Sequence, residues 1–342
     1  MSEYRAPEQD VVLSSRVRLA RNYEDIPFSP LMNQTYAAQT IERASEPILT
    51  APDGKDYTLL RMSDISEDAQ NELVEHHLIS YDLLKFADYS AALISSGKTV
   101  SVMINEEDHL RIQGLLPGMQ LELAADLAFK TSDRLGEKHA YAFDAHWGFL
   151  TSCPTNTGTG MRASVMLHLP ALTAARQINA VLQVFSKLGL TVRGLYGEGS
   201  DARGCLYQLS NQVTLGRSEE DMIRTLLAAT KQISDHERAL RETLRKKDSV
   251  ALLDRLMRSV GIMAHAHVMN GAEFMQRYSD LRLAVSMGFV DAPLTYVDAL
   301  MMDLQSGSLS MRAQKHLTEQ AASQTRADLL RSAMAQIASH SA

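Results

Sequence analysis

The sequence predicts an α+β protein, an antiparallel sheet flanked by helices over residues 1–245, followed by an all-helical domain over residues 246–342. Three observations carry this. Short β-like runs joined by tight connections fill the first part. Longer stretches with helical apolar spacing lie between them. Beyond about residue 216 the strand signals cease.

In chain order, 58–61, 91–95, 99–104, 110–114, 140–144, 148–151, 163–168, 191–195 and 205–209 read as strands. The SSGK turn at 95–98 pairs its neighbours antiparallel. The spacing predicts helices near 34–45, 68–79, 119–137 and 170–188, with Pro170 at a first helical turn. Ser218 opens a long helix whose acids lead and whose bases trail, which suits the helix dipole. After 248 the pattern is helical throughout, at 250–266, 271–285, 295–304 and 324–338. No internal repeat or low-complexity tract interrupts it.

The 342 residues are 45% hydrophobic and 22% charged, a globular composition with room for two domains. A net charge of −7 speaks against general nucleic-acid binding, which needs a basic face. No apolar run is long enough for a bilayer, and the first residues lack a secretory pattern. Two cysteines, Cys153 and Cys205, make no disulfide framework, so the expected location is the cytoplasm.

Four segments carry chemistry. In Ser14-Ser15-Arg16-Val17-Arg18, the two arginines alternate with apolar residues and share one face of an extended chain. Such a pair is costly without an anion, although alone it reads equally as a solvated edge. Asn105-Glu106-Glu107-Asp108-His109-Leu110-Arg111 sets three acids at a strand end, where they could polarise a basic nucleophile. The run from Ser152 through Cys153 to Arg162 and Val165 is a glycine-rich loop able to turn N–H groups towards an anion, but it is no Walker loop. Arg193-Gly194-Leu195-Tyr196-Gly197-Glu198 is a flexible loop with one base and one acid. Together they supply the parts for phosphoryl transfer. The histidine spacings do not suggest zinc.

SSRVRLARN, NEEDHLRI, SCPTNTGTGMRASV and RGLYGEGS, in this order, resemble the guanidino phosphotransferase (phosphagen kinase) superfamily. LSNQVTLGRSEED is also similar to the superfamily, and VVLSSRVRLARN, ASVMLHLPAL, QISDHERALRETL and DRLMRSVGI are similar to its bacterial protein arginine kinase branch, the McsB type. The resemblance implies a guanidino kinase catalytic domain and transfer of the ATP γ-phosphoryl group to arginine side chains of proteins. It implies that Arg16, Arg18, Arg111, Arg162 and Arg193 surround the phosphates, with Ser14, Ser15, Val17 and His77 in the nucleotide site. The backbone of Arg162, Ala163, Ser164, Val165 and Met166, and the loop Arg193, Gly194, Leu195, Tyr196, Gly197 and Glu198, would line it too. Glu107 and Glu198 would grip the guanidinium, Cys153 would lie beside it, and Glu106 would act through water on Mg²⁺.

In the superfamily's small-substrate kinases a helical domain precedes the arginine pair; with only 13 residues ahead of Ser14, the resemblance leads one to expect a site without that cover, open to an arginine on a protein. The resemblance further implies a homodimer, an activator protein, an ATP-dependent protease that removes the marked proteins in stress, and a C-terminal phosphoarginine site. For that site the family carries Arg-Asp-x-x-Arg-Ala. Here Ala327 precedes Asp328, and Ser332 follows Arg331, with Arg326 one position off as a substitute. A kinase of free arginine or another small guanidino compound, or a phosphoarginine-binding adaptor, are the competing readings.

Overall fold

The computed structural model describes residues 6–29, 32–194 and 202–340. Ten strands are present among them: β1 (Val12–Arg21), β2 (Tyr57–Arg61), β3 (Ala91–Ser95), β4 (Val100–Ile104), β5 (Leu110–Pro117), β6 (Phe143–Asp144), β7 (Gly148–Phe149), β8 (Met161–His168), β9 (Leu190–Gly194) and β10 (Leu206–Asn211). Eight form one antiparallel sheet in the order β2-β3-β4-β5-β1-β8-β10-β9. The segment with the arginine pair is therefore a central strand, not a solvated edge. Its alternation is kept, with Val17 and Leu19 fully buried and Arg16 and Arg18 half-buried on the other face.

One face of the sheet is closed by α1 (Gln34–Leu49), α4 (Leu121–Gly136) and the first half of α7 (Glu219–Lys247). The main core lies there, built from residues such as Val17, Ile112, Ala124, Val165 and Leu226. Gly114 lets α4 approach β5, because a Cβ there would stand 2.1 Å from the Ala124 carbonyl oxygen. On the other face α2 (Glu67–Glu75) and α3 (Tyr81–Leu84) cover only the β3–β4 end, over Ala92, Ile94 and Met103. The centre of that face is left to the arginines.

Two expected strands shrink to a separate hairpin, β6 and β7. Asp144 Oδ1 accepts from the N–H groups of His146 (2.8 Å) and Trp147 (2.9 Å), which turns the chain early. The helix expected over 170–188 divides into α5 (Pro170–Ala174) and α6 (Ile178–Ser186), because Arg176 adopts a left-handed φ of 58°. α7 ends at Asp248, whose carboxylate also caps α8 (Ser249–His265) by accepting from Ala251 N.

Behind α8 come α9 (Gly271–Ser286), α10 (Leu294–Asp303), α11 (Ser306–Ala313) and α12 (Glu319–His340). The short, serine-rich α11 has no strong apolar period and was not anticipated. These helices pack around Phe274, Tyr278, Leu281 and Leu330 and reach the sheet at Met166 and Leu206. Fully buried Arg282 ties them to the N-terminal segment, donating to the carbonyls of Gln9 (2.6 Å) and Asp10 (3.1 Å) and to Asp298. At α11, Glu75 accepts from the N–H groups of Gly307 (2.8 Å) and Ser308 (2.9 Å), which satisfies a helix N-terminus. No helix among the described residues is long and apolar enough to cross a membrane.

Candidate active site

Residues directly opposite in a sheet share a face. Arg18 stands opposite Arg162 and Gln113, Arg16 opposite Ser164, and Ala20 opposite Arg111. Arg193 stands opposite Gln208, which in turn faces Met166 and accepts from Arg16 Nη2 at 2.7 Å. All five arginines named from the sequence thus project from the same open face.

Their electrostatics match an anion site. Burial first, then the charges of Arg111 and Arg162, pull the Arg16 guanidinium down to about 10. Arg18 falls well below its usual value through burial, then Arg16, Arg111 and Arg162, with Glu106 opposing. Burial and the charges of Arg193 and Arg111 lower Arg162 in the same direction. Guanidinium groups nonetheless stay protonated, so the repulsion persists until an anion arrives. The Nε atoms of Arg18 and Arg162 are buried without a hydrogen-bond partner. His77 joins this cluster from the end of α2. Its φ is 60°, its carbonyl accepts from Gln113 Nε2 (2.8 Å), and its Nε2 is buried without a partner. Burial, then Arg16, His76 and Arg18, push it down to about 3, so the ring is neutral.

The three acids, alike in sequence, differ in space. Glu106 is buried and holds Arg111 Nη1, while accepting from Ser80 Oγ at 2.6 Å. Asp108, also buried, accepts from Asn22 Nδ2 and Ser152 N, each at 2.7 Å. It binds the end of β1 and the Cys153 loop to the acid turn. Glu107 is the exposed one, accepting from Asn156 Nδ2 at 3.2 Å and lying beside the Cys153 thiol. Partial burial, then Asp108 and Glu106, raise its carboxyl above the usual range, against Arg111 and the Cys153 thiol. Cys153 Sγ itself lies 3.0 Å from Thr155 Oγ1.

The loop that follows is anchored by Thr214, whose hydroxyl is within hydrogen-bonding distance of the carbonyls of Thr155 (2.9 Å) and Thr157 (2.8 Å). Gly158 sits at φ 114°, and a Cβ there would meet the Thr214 carbonyl at 2.5 Å. Beneath this loop a cavity of about 480 Å³ is bounded by Asn156, Arg162, Arg193 and residues 211–215. Asn156 is thus shared between the arginine side and the acid side.

The remaining sequence-derived site residues divide by strand parity. Ser14 and Ser164 lie on the arginine face. Val17, Ala163 and Val165 point into the main core, so only their backbone is on offer. Ser15 is buried on that same side, where its hydroxyl donates to Gly118 O (2.8 Å) and accepts from Gln120 N (3.0 Å). Met166 packs into the core of the C-terminal helices. Gly194 ends β9, while Leu195, Tyr196, Gly197 and Glu198 lie outside the described residues. Sequence reasoning passed over Asn22, Asp108, Asn156 and Thr214. An Asn just past a central strand, and an acid flanking an acid pair, were the available signals.

Residues 39–240 match the family model described as ATP:guanido phosphotransferase, C-terminal catalytic domain. Residues 249–342 match the model described as protein-arginine kinase McsB C-terminal domain. A protein-arginine kinase of Caldanaerobacter subterraneus subsp. tengcongensis is 47% identical over 88% of this chain and 90% of its own. This chain belongs to the protein-arginine kinase family. A second member, from Geobacillus sp. strain WCH70, is 43% identical over 95% of this chain and 91% of its own.

Among solved structures, a lombricine kinase superposes with a TM-score of 0.60 at 23% identity, covering 69% of this chain and 68% of its own. The duplicated taurocyamine kinase of Schistosoma mansoni, with bound transition-state analogue components, reaches 0.62 at 24% identity, covering 84% of this chain and 41% of its own. At that identity the likeness concerns the fold. The chain is thus an ATP:guanido phosphotransferase in fold, and a protein-arginine kinase by its relatives.

One expectation for the C-terminal part of this kinase is corrected. Arg326 does not stand in for the missing arginine of the phosphoarginine motif. It is 3% exposed and donates to Leu304 O (2.7 Å), Met269 O (2.8 Å) and Ser306 Oγ (3.4 Å), so its guanidinium is turned into the helices rather than to the surface. Ala327 is fully buried, and Arg331 donates to Ala266 O and to Asp328.

Proposed function

We propose that this face transfers the γ-phosphoryl group of ATP to the guanidinium of an arginine side chain in a protein. The observation that carries the reading is the shared face of Arg16, Arg18, Arg111, Arg162 and Arg193, ending on the acid turn of Glu106 and Glu107. A guanidinium is not nucleophilic while protonated. Glu107 orients it and accepts the proton as the N–P bond forms and the bond from phosphorus to the ADP oxygen breaks. Glu198 is proposed as the second acid. The fixed arginines stabilise the charge spread over the transferring phosphoryl group, and His77 stays neutral among them. Cys153 contributes to the charge balance beside the guanidinium.

Unpartnered guanidinium nitrogens suit a triphosphate. Mg²⁺ is proposed to arrive with the nucleotide and to neutralise charge between the phosphates. Glu106 keeps unused lone pairs beside Arg111 and would hold one of the ion's waters.

The proposal extends to a division at 245/246, which Asp248 supports by closing one helix and opening the next. A homodimer is supported by the exposed apolar row Val250, Leu253 and Met257 on α8. A cytoplasmic location suits two unpaired cysteines. The activator, the protease and the marking for degradation rest on the family resemblance alone.

Incubation with ATP, Mg²⁺ and an unfolded protein tests the reading. Acid-labile phosphate mapped to arginine under neutral conditions is expected. Label confined to serine, threonine or tyrosine would overturn it.

A further inference from the structure

On the other side of the acid turn lies a second cavity of about 350 Å³, lined by Met32, Asn33, Phe86, Tyr89, Asn105 and Glu106. We propose that it receives an apolar side chain flanking the target arginine, and so gives this kinase a sequence preference. The inference rests on the proposed role of Glu107 in holding that arginine.

Three observations meet here. The first is continuity: Glu106 forms the cavity wall, and Ser29, another wall residue, donates through Oγ to the Glu107 carbonyl at 2.6 Å. An arginine held at Glu107 belongs to a polypeptide, and residues advance about 3.3–3.6 Å each along an extended chain. On the proposal, a neighbour of that arginine would lie against this wall.

The second is apolar surface. Phe86 is 50% and Tyr89 44% exposed, an unusual pair of aromatics to leave in water next to a buried carboxylate. The third is an unsatisfied acceptor. Asn105, 3% exposed with φ 61°, donates through Nδ2 to the carbonyls of Ala37 (3.0 Å) and Tyr89 (2.8 Å). Those two bonds fix its amide, and leave Oδ1 buried without a partner. A buried acceptor of this kind calls for a donor. Asn105 lines the cavity, so an occupant that displaces this side chain would supply that donor, with its own apolar side chain lying against Phe86 and Tyr89. A cavity of this size is in the range that holds small ligands or single side chains.

The test uses disordered polypeptides carrying one arginine with Gly or Phe on either flank. Transfer kinetics and binding, by fluorescence anisotropy, are measured in parallel for the full-length kinase and for Phe86→Ala. The expected result is a KM about tenfold lower with Phe on one flank, kcat and the KM for ATP nearly unchanged, and loss of that preference in Phe86→Ala. Equal KM and equal affinity for all polypeptides in the parent kinase overturns the proposal. So does a preference that survives Phe86→Ala, or a Phe86→Ala effect confined to oligomeric state by sedimentation. Glu107→Gln separates the underlying reading: it should abolish transfer to every acceptor while the flank preference in binding persists. Full transfer by Glu107→Gln would instead remove Glu107 from the site and leave the binding preference to be read by itself.

Discussion

Arg18 and Arg162 stand directly opposite each other on β1 and β8, two like charges in register on a half-buried face. Such a pair destabilises a sheet by up to about 1 kcal/mol. On the proposed function, the nucleotide's phosphates would lie between the two groups and offset that cost. Arg18→Met should therefore abolish transfer and, without nucleotide, raise the melting temperature by roughly 2 °C. Calorimetry with and without ATP checks this: ATP should stabilise the parent and leave the variant unmoved.

Glu107 differs from its neighbours in being exposed and lightly held. Glu107→Gln should lower kcat by about 100-fold or more. Its carboxyl is raised in the fold, so ionised Glu107 weakens the native state as pH rises through that window. The variant should consequently keep or slightly exceed the parental stability at neutral pH. In the parent, transfer should fall on the acid side as Glu107 gains a proton, and steady-state rates against pH read that limb.

His77 titrates near 3 in the fold and near 6.5 when unfolded. Between those values the unfolded chain binds the extra proton, so stability rises with pH through the window and is lost as pH falls through it. His77→Asn tolerates the left-handed backbone. Urea unfolding at about pH 7 and about pH 5 should show a smaller acid loss in this variant than in the parent.

Asp108→Ala would leave unpaired the Ser152 N–H and one N–H of Asn22 Nδ2, whose other bond goes to Leu150 O. A loss of about 2 kcal/mol is expected. Because the Cys153 loop is released from the acid turn, kcat should fall although Asp108 touches no substrate. Denaturant titration beside kinetics separates the two effects.

Arg326→Ala should destabilise by about 2 kcal/mol or more, since the carbonyls of Leu304 and Met269 lose their donor. Phosphoarginine affinity, measured by calorimetric titration below the melting temperature, should not depend on it. A selective loss of affinity with unchanged stability would return Arg326 to a binding role.

The arginine face was legible because a strand's period is local. Arg16 and Arg18 flank Val17, and no other backbone state keeps both cations off the core. The helical C-terminal region was legible for the same reason, except α11, whose serine-rich surface carries no strong stripe. The hairpin of β6 and β7 and the break at Arg176 were not legible in the apolar spacing, because a side-chain turn at Asp144 and a left-handed φ at Arg176 leave no mark on a hydrophobic period.

Local periodicity determined that Arg16 and Arg18 share one face of a strand, and the motifs supplied residue types suited to phosphoryl transfer, while the resemblance to the guanidino phosphotransferases named which of them would meet phosphate or guanidinium. Only the tertiary structure decided how three adjacent acids divide their work. Glu106 is bound to Arg111 and Ser80 with lone pairs to spare, Asp108 is bound to Asn22 and Ser152, and Glu107 is the most open of the three. Those partners lie 5 to 86 residues away, and a carboxylate's availability depends on who has already donated to it, which no local pattern records.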